Sequence, residues 1–241
     1  MKYSVTILGA GASGLMCAIE AAKRGLKVVV LDHQKEIGKK ILISGGGRSN
    51  CTNLNLGPEN YISENPHFVR SALSRFTPED FLKLLDAHHI PYEEKKEGQI
   101  FCKRSSKDIL RLFKEECLKY GVKIITGSKI VSVKFEDEFK IKTVKEEIKS
   151  DSLVIAIGGL SYPSLGASDL GFSLAKEFGL NVIEPKPALV PLVFDKKEKE
   201  VFSPLSGISF KAKVSCGKVS FKGEVLFTHK GLSGPAILQI S

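Results

Sequence analysis

The 241-residue sequence predicts an α/β chain: a parallel sheet flanked by helices, a small antiparallel meander, then a β-rich inserted domain. Three observations predict it. A glycine-punctuated turn near the N-terminus joins an apolar run to an amphipathic segment. A second apolar run, preceded by short charged alternating segments, ends in a glycine pair. Beyond residue 186 prolines punctuate the chain, and helical periodicity gives way to short alternating segments. The expected boundaries are a dinucleotide-binding domain over 1–186, with its meander at about 129–149, and the start of the inserted domain over 187–241.

Tyr3 to Leu8 is an apolar strand. Gly9 permits a tight turn out of it. Gly11, with no β-carbon, lets a pyrophosphate approach the backbone, and Gly14 lets the next helix pack against the sheet. Leu15, Ala18, Ile19 and Ala22 form that helix's apolar face. Its first N–H groups, at Ala12 and Ser13, and its dipole face the phosphates. Gly25 fits a C-terminal cap, Lys27 to Leu31 is the second strand, and Asp32 is placed to accept hydrogen bonds from ribose hydroxyls. A carboxylate here disfavours a 2′-phosphate, so NADP is not expected at this position. The unit reads as a Rossmann-like site for the adenosine half of a dinucleotide; a glycine turn without ligand is the plainer alternative.

Lys40 to Asn53 carries three consecutive glycines. Lys40, Ser44, Gly46 and Gly47 are expected at a phosphate or flavin edge, with Arg48 neutralising a phosphate and Asn50 and Asn53 offering amides to a flavin rim. A solvated loop is the alternative, though Ile41 to Ile43 suggests packing. Thr77-Pro78-Glu79-Asp80 opens a helix with Phe81, Leu84, Leu85 and His88 on one face. His88 fits that face's edge better than a catalytic role. Ser105 or Ser106 caps another helix, which buries Ile109, Leu112, Phe113 and Cys117 and stops at Gly121. Val122 to Ile125 is a third parallel strand. Segments 129–135, 139–144 and 147–149 form the meander, and Val131 within it is placed among the cofactor-binding residues. Leu153 to Ile157 is a buried fourth strand reaching Gly158-Gly159, and a helix follows Ser168-Asp169 and ends at Gly179. In the second domain, 190–194, 208–214, 218–221 and 224–227 read as strands, Asp195 to Glu200 as a solvated loop, and Pro235 to Ile240 as the one helix. A meander followed by an apolar strand and a glycine pair is the arrangement of two-dinucleotide-binding flavoproteins. It favours FAD over NAD, with Gly158 and Gly159 passing close to the cofactor.

Composition narrows the partners. No run approaches the ~20 apolar residues of a membrane span. The N-terminal run is broken by glycines and by Glu20, Lys23 and Arg24, so it reads as mature structure of a cytoplasmic protein rather than a leader. Five cysteines show neither CxxC nor metal spacing, and no metal site is expected. Cys17 and Cys117 read as small apolar packers, and the odd count suits a reducing compartment. Net charge is +9, but lysines alternate with acids, so a mixed surface is preferred to nucleic-acid binding. A small-molecule substrate is expected, without nucleic acid or membrane; oligomeric state is open.

Four segments carry a resemblance: Lys39 to Asn53, Gly158 to Gly166, Leu189 to Leu192, and Gly223 to Ser241 with its Thr-His-Lys-Gly-Leu-Ser-Gly-Pro core. They resemble the YhiN/HI-type FAD-binding flavoprotein family, NAD(P)/FAD-dependent oxidoreductases that include aminoacetone-oxidase-like proteins and are similar to a bacterial bile-acid dehydro-reductase. The resemblance implies FAD across the carboxyl edge of the sheet, with its isoalloxazine near Gly45 to Asn53. Hydride would enter from NAD(P)H or a reduced substrate and leave to an acceptor such as an enone or oxygen. Two departures stand out: Ser49 with Cys51 where the family pattern is Arg-Cys-Asn-Val-Thr-Asn, and Ser168 to Phe172 where it is Thr-Gly-Asp-Gly-Tyr. Family members run further and close with a strand and an acid near the ribitol, so this chain is expected to lack a C-terminal part. Tyr162 and His229 are the candidate catalytic residues; each has a plain reading as a loop residue. The function expected is an FAD-dependent oxidoreductase. A truncated or non-catalytic nucleotide-binding module and an NAD-dependent dehydrogenase are the alternatives.

Overall fold

A computed structural model describes residues 2–241, which divide into two compact units, one ending at Asn181 and the other spanning Val182–Ser241. The first unit runs β1 (Lys2–Leu8), α1 (Ala12–Lys23), β2 (Val28–Leu31), α2 (Lys39–Ile43), β3 (Asn50–Asn53), α3 (Arg70–Arg75) and α4 (Pro78–Ala87). It continues through β4 (Tyr92–Glu94), β5 (Gln99–Cys102), α5 (Lys107–Lys119) and β6 (Lys123–Ile125). It ends with β7 (Ile130–Phe135), β8 (Phe139–Thr143), β9 (Glu147–Ile155) and α6 (Leu170–Glu177).

Six strands form the main sheet in the order β6-β2-β1-β9-β8-β7. β1 lies parallel to both β2 and β9, and β2 is parallel to β6. β2 is Val-Val-Val-Leu with all four residues buried, as a parallel strand covered on both faces requires. Alternation divides its side chains: Val28 and Val30 enter a core with Leu15, Ile19, Leu112 and Phe113, whereas Val29 and Leu31 join Ile141, Ile148 and Leu174. Completely burying Leu15 and Ile19 is worth about 1.5–3 kcal/mol each before entropy is counted, which is what holds α1 on the sheet.

The fourth strand differs from its expected form. The last meander segment and the apolar run are one nine-residue strand, β9, and the run is not buried as expected: Leu153 and Val154 are half-buried and Ile155 is exposed. Its first half is antiparallel to β8, and from Lys149 to Ile155 it is parallel to β1. The polar triplet Ser150-Asp151-Ser152 hides this continuity in the sequence. Ser150 is nonetheless buried, its hydroxyl donating to the Ser152 carbonyl at 2.9 Å, and Asp151 turns outward to pair with Lys2 at 2.8 Å. The meander is therefore the far edge of the main sheet, and β9 runs from it to the glycine pair beside β1.

A three-stranded antiparallel sheet, β3-β5-β4, was not visible in the hydrophobic pattern. Its strands are only three or four residues long, and two of them, Asn-Cys-Thr-Asn and Tyr-Glu-Glu, are mostly polar. The glycine triplet is correspondingly no plain loop: it is a turn between α2 and β3. α4 starts as its sequence requires, Thr77 Oγ1 accepting the Asp80 N–H at 3.3 Å and Asp80 Oδ2 accepting the Thr77 N–H at 3.0 Å. Ser106 precedes α5 but does not cap it; its hydroxyl donates to the Leu42 carbonyl at 2.8 Å and ties α5 to α2. Ser105 Oγ accepts the Lys107 N–H at 3.2 Å instead. His88 packs between Glu115 and Glu116, at 2.9 and 3.1 Å.

The second unit holds β10 (Leu192–Val193), α7 (Lys196–Phe202), β11 (Ser209–Cys216), β12 (Val219–Thr228), β13 (Gly231–Ser233) and α8 (Pro235–Ile240). Its sheet order is β10-β13-β12-β11. Two expected strands merge into the ten-residue β12; Gly223, which suggested a break, pairs with Ala212 and lies under Ala236 of α8. The segment expected as a solvated loop is the helix α7. Asp195 Oδ1 accepts the Glu198 N–H at 2.8 Å, and Glu198 Oε2 accepts the Asp195 N–H at 2.9 Å, a reciprocal cap written in the sequence as Asp-x-x-Glu. Among the described residues no helix is long and apolar enough to cross a membrane.

Thr77→Ala removes a cap acceptor and is expected to lower unfolding free energy by about 1 kcal/mol in denaturant titration. Hydrogen bonds from the Thr77 N–H, then the Lys83 ammonium, hold the Asp80 carboxyl down at about 2. Its folded value is depressed, so its contribution is complete above its unfolded value, roughly 3.9, and is lost as pH falls toward about 2. In Asp80→Ala the fall in stability over that acid window should be shallower than in the parent.

Candidate functional site

The carboxyl ends of β1, β2 and β9 open into a cleft of about 710 Å³, where an α/β sheet places its ligands. The glycine turn forms its floor. Gly9 has φ +105°, and a β-carbon there would stand 2.5 Å from the Ala156 carbonyl oxygen. A β-carbon on Gly14 would collide with the Gly9 carbonyl oxygen. Fold geometry alone therefore demands these two glycines. Gly11 is different: its φ is −85°, open to any residue, and among the described residues no atom beyond its own chain neighbours lies within 4 Å of where its β-carbon would be. The protein gives no steric reason for glycine there; a ligand resting on that backbone would.

Gly9, Gly11, Ala12 and Ser13 line the cleft. Gly11 is the N-cap of α1, no side chain caps the helix, and no acid stands in its first turn, so the positive end of the helix faces the cleft. Asp32 also lines it, with its carboxylate already engaged. Oδ2 accepts the Ala10 N–H at 2.7 Å and Oδ1 accepts the Gln34 N–H at 2.8 Å. The side chain expected to read a ribose thus first fixes the glycine turn to the end of β2. About two of its four acceptor positions remain for a ligand.

Lys40, Ser44, Asn50 and Gly158 complete the group of expected residues that the fold gathers on the cleft. Gly158 has φ +77°, and the Lys40 ammonium sits 3.6 Å from its would-be β-carbon. Ser44 Oγ donates to the Ile41 carbonyl at 2.9 Å. The other expected residues do not line the cleft. Gly14 is under the turn, Gly159 faces Phe172, and Gly46 and Gly47 serve the turn at φ +64° and +84°. Arg48 pairs with Glu93 of β4 at 3.0 Å rather than facing the cleft. Val131 is exposed at the bulge of β7, the strand farthest from β6. Tyr162 is 60% exposed, off the cleft, and held at φ +62°, a strained value for a non-glycine residue. His229 is exposed in the turn between β12 and β13 of the second unit.

Several lining residues carried no motif. His33 and Gln34 follow β2, and Lys39 Nζ donates to Gln34 Oε1 at 2.5 Å. Phe76, Phe81 and Phe113 make an apolar wall. The inward periodicity of α4 and α5 placed Phe81 and Phe113 in the core, but no sequence rule separates the wall of a cleft from the core behind it. Gly45, outside the expected set, is required by the turn: at φ +57°, its β-carbon would meet the Phe101 ring at 2.7 Å and the Asn50 nitrogen at 2.8 Å.

Residues 3–231 match the family described as HI0933-like protein Rossmann domain. Two relatives are named ribosomal RNA dihydrouridine synthase: one from Haemophilus influenzae, 46% identical over 100% of this chain and 61% of its own length, and one from Escherichia coli, 43% identical over 100% and 60%. A third, 3-dehydro-bile acid delta(4,6)-reductase from Clostridium scindens, is 32% identical over 98% and 59%. The chain thus spans about three fifths of the length of the curated relatives it matches. Among solved structures, 3-ketosteroid-delta4-(5alpha)-dehydrogenase from Rhodococcus jostii RHA1 aligns with TM-score 0.50 and 17% identity over 67% of this chain and 47% of that one, a likeness of fold alone. With the glycine turn and Gly158, just beyond the meander-to-sheet strand, meeting on one cleft, the chain belongs to the HI0933-like Rossmann-domain family and has its FAD-binding, oxidoreductase-type fold.

Proposed function

We propose that this chain binds FAD in the cleft and serves a flavin-dependent reductase of carbon–carbon double bonds conjugated to a carbonyl, with uridine in ribosomal RNA as substrate. The observation that carries the cofactor is Gly11, a glycine at ordinary φ with open space above it and the start of α1 beside it. The N–H groups of Ala12 and Ser13 would take the pyrophosphate, and the free acceptor positions of Asp32 the ribose. Lys40, Ser44, Asn50 and the Gly158 backbone would receive the remainder. FAD supplies two-electron hydride chemistry when bound; the chain orients it and sets the charge around it.

The reaction class rests on the relatives. Making dihydrouridine saturates C5–C6 of uracil, a bond conjugated to the C4 carbonyl. A reductase acting on a 3-dehydro bile acid at Δ4 faces the same grouping, an alkene conjugated to the 3-ketone. Both reductions place a hydride on the carbon β to the carbonyl and a proton on the α carbon, and NAD(P)H is the donor class we assign. Greater identity to the two synthases favours RNA over a steroid. This revises the small-molecule partner expected from charge patterning: a chain of net charge +9 is drawn to a polyanion. Tyr162 lies off the cleft and His229 belongs to the second unit, so neither is assigned the proton.

Gly14 and Gly11 separate fold from ligand. Gly14→Ala should cost more than about 1 kcal/mol of stability through overpacking. Gly11→Val should melt close to the parent yet lose FAD and ADP affinity at least tenfold in calorimetry; unchanged affinity would remove the cofactor from this cleft. Asp32→Ala should lower both, since Ala10 and Gln34 lose their acceptor. For the substrate, protein supplied with FAD and NADPH is incubated with ribosomal RNA from a strain lacking the modification. Nucleoside mass spectrometry should detect dihydrouridine. Reduction of a 4-en-3-one steroid without any dihydrouridine would transfer the reading to the bile-acid type.

A further inference from the structure

Two thiols meet where β3 lies against β5. Asn50 pairs with Phe101 and Thr52 with Ile100, so Cys51 is the extra residue of a bulge, with no partner in the ladder. Its Sγ stands 3.5 Å from Sγ of Cys102. Both are free. Cys102 is completely buried, whereas Cys51 is half-buried and lines the cleft. The Cys102 N–H donates to the Arg48 carbonyl at 2.9 Å, so the pair sits directly beneath the glycine turn.

The two sulfurs have unequal environments. Hydrogen bonding from the Cys102 thiol, with a smaller share from Ser49, holds the Cys51 thiol below its ordinary value against the opposing effect of burial. The hydrogen bond to Cys51, then burial, pushes Cys102 far above the usual thiol range. The accessible sulfur is therefore the readier thiolate and the inaccessible one keeps its proton, the division of labour between an attacking and a resolving cysteine.

We propose that Cys51 and Cys102 form a dithiol–disulfide couple, in which Cys51 attacks a low-molecular-weight disulfide entering the cleft and Cys102 resolves the adduct. In the first step the Cys51 thiolate bonds to one sulfur of RSSR, the S–S bond breaks, and RS⁻ leaves and takes up a proton. In the second, Cys102 gives up its proton, its sulfur bonds to Cys51 Sγ, and a second RS⁻ leaves to be protonated as RSH. Two protein thiols are oxidised by two electrons, and RSSR is reduced to two RSH. Forming the bond brings the sulfurs from 3.5 Å to about 2.05 Å. The bond would clamp β3 to β5 and fix the turn from Ser44 to Asn50 that borders the cleft. The proposal is independent of the substrate assigned above.

The test equilibrates the full chain in glutathione buffers of increasing disulfide fraction, quenches with acid, alkylates, and maps peptides by mass. Wild type should yield a Cys51–Cys102 cross-link, with exposed Cys216 taking up glutathione as the reagent control. Cys102→Ser should stop at a glutathione adduct on Cys51, and Cys51→Ser should leave Cys102 reduced. Full alkylation of both thiols while Cys216 is glutathionylated overturns the proposal, as does oxidation of Cys102 in Cys51→Ser. The wild-type measurement decides the matter even if a variant fails to fold.

Discussion

Two bare α-carbons and two carbonyl oxygens set the geometry on which the cleft depends. The Gly9 carbonyl oxygen occupies the place where a side chain on residue 14 would begin, and the Ala156 carbonyl crowds the corresponding place on residue 9. Strand β1, helix α1 and the end of β9 can approach this closely only because both positions are glycine. Asp32 completes the arrangement from the other side, accepting one N–H from the turn and one from the chain leaving β2. The result is a helix N-terminus held rigidly at the carboxyl edge of a parallel sheet, with open space above Gly11.

That rigidity comes from burial on both faces of the sheet. β2 and the inner part of β1 have no solvent-facing side, and their alternate side chains enter two separate cores. The continuity of β9 matters for the same reason. Because one strand belongs to the antiparallel edge and to the parallel centre, Ala156 is set against Gly9 by a continuous ladder, which the Ala156 N–H extends by donating to the Leu8 carbonyl at 2.8 Å. The second unit follows a different logic: a four-stranded antiparallel sheet covered on one side by α8, whose Ala236 packs over Gly223.

The family resemblance read from the glycine triplet and the Thr-His-Lys-Gly-Leu-Ser-Gly-Pro segment agrees with the family that the whole chain matches. Arg48 illustrates how such motifs mislead in detail. A cation beside three glycines suggests a phosphate ligand, yet here it pairs with Glu93, more than forty residues away on a strand too short and polar to be foreseen. Nothing in the sequence pairs Cys51 with Cys102, 51 residues apart; the bulge in β3 brings their sulfurs together.

The sequence by itself determined what depends on neighbours along the chain: the strand–turn–helix unit from Lys2 to Leu31, the capped start of α4, the inward faces of α1 and α5, and the α/β class. Period, cap and turn chemistry are local, and these segments state them within a dozen residues. A local signal could also be present and overlooked, as the Asp195–Glu198 cap shows. Tertiary structure decided everything that requires distant segments to meet. It joined the two halves of β9 across a polar triplet, assembled the β3-β5-β4 sheet, turned Asp32 onto the backbone, and brought both Lys39 and Lys40 to the cleft. Such outcomes follow from competition for partners in three dimensions, and a one-dimensional pattern holds no record of which partner wins.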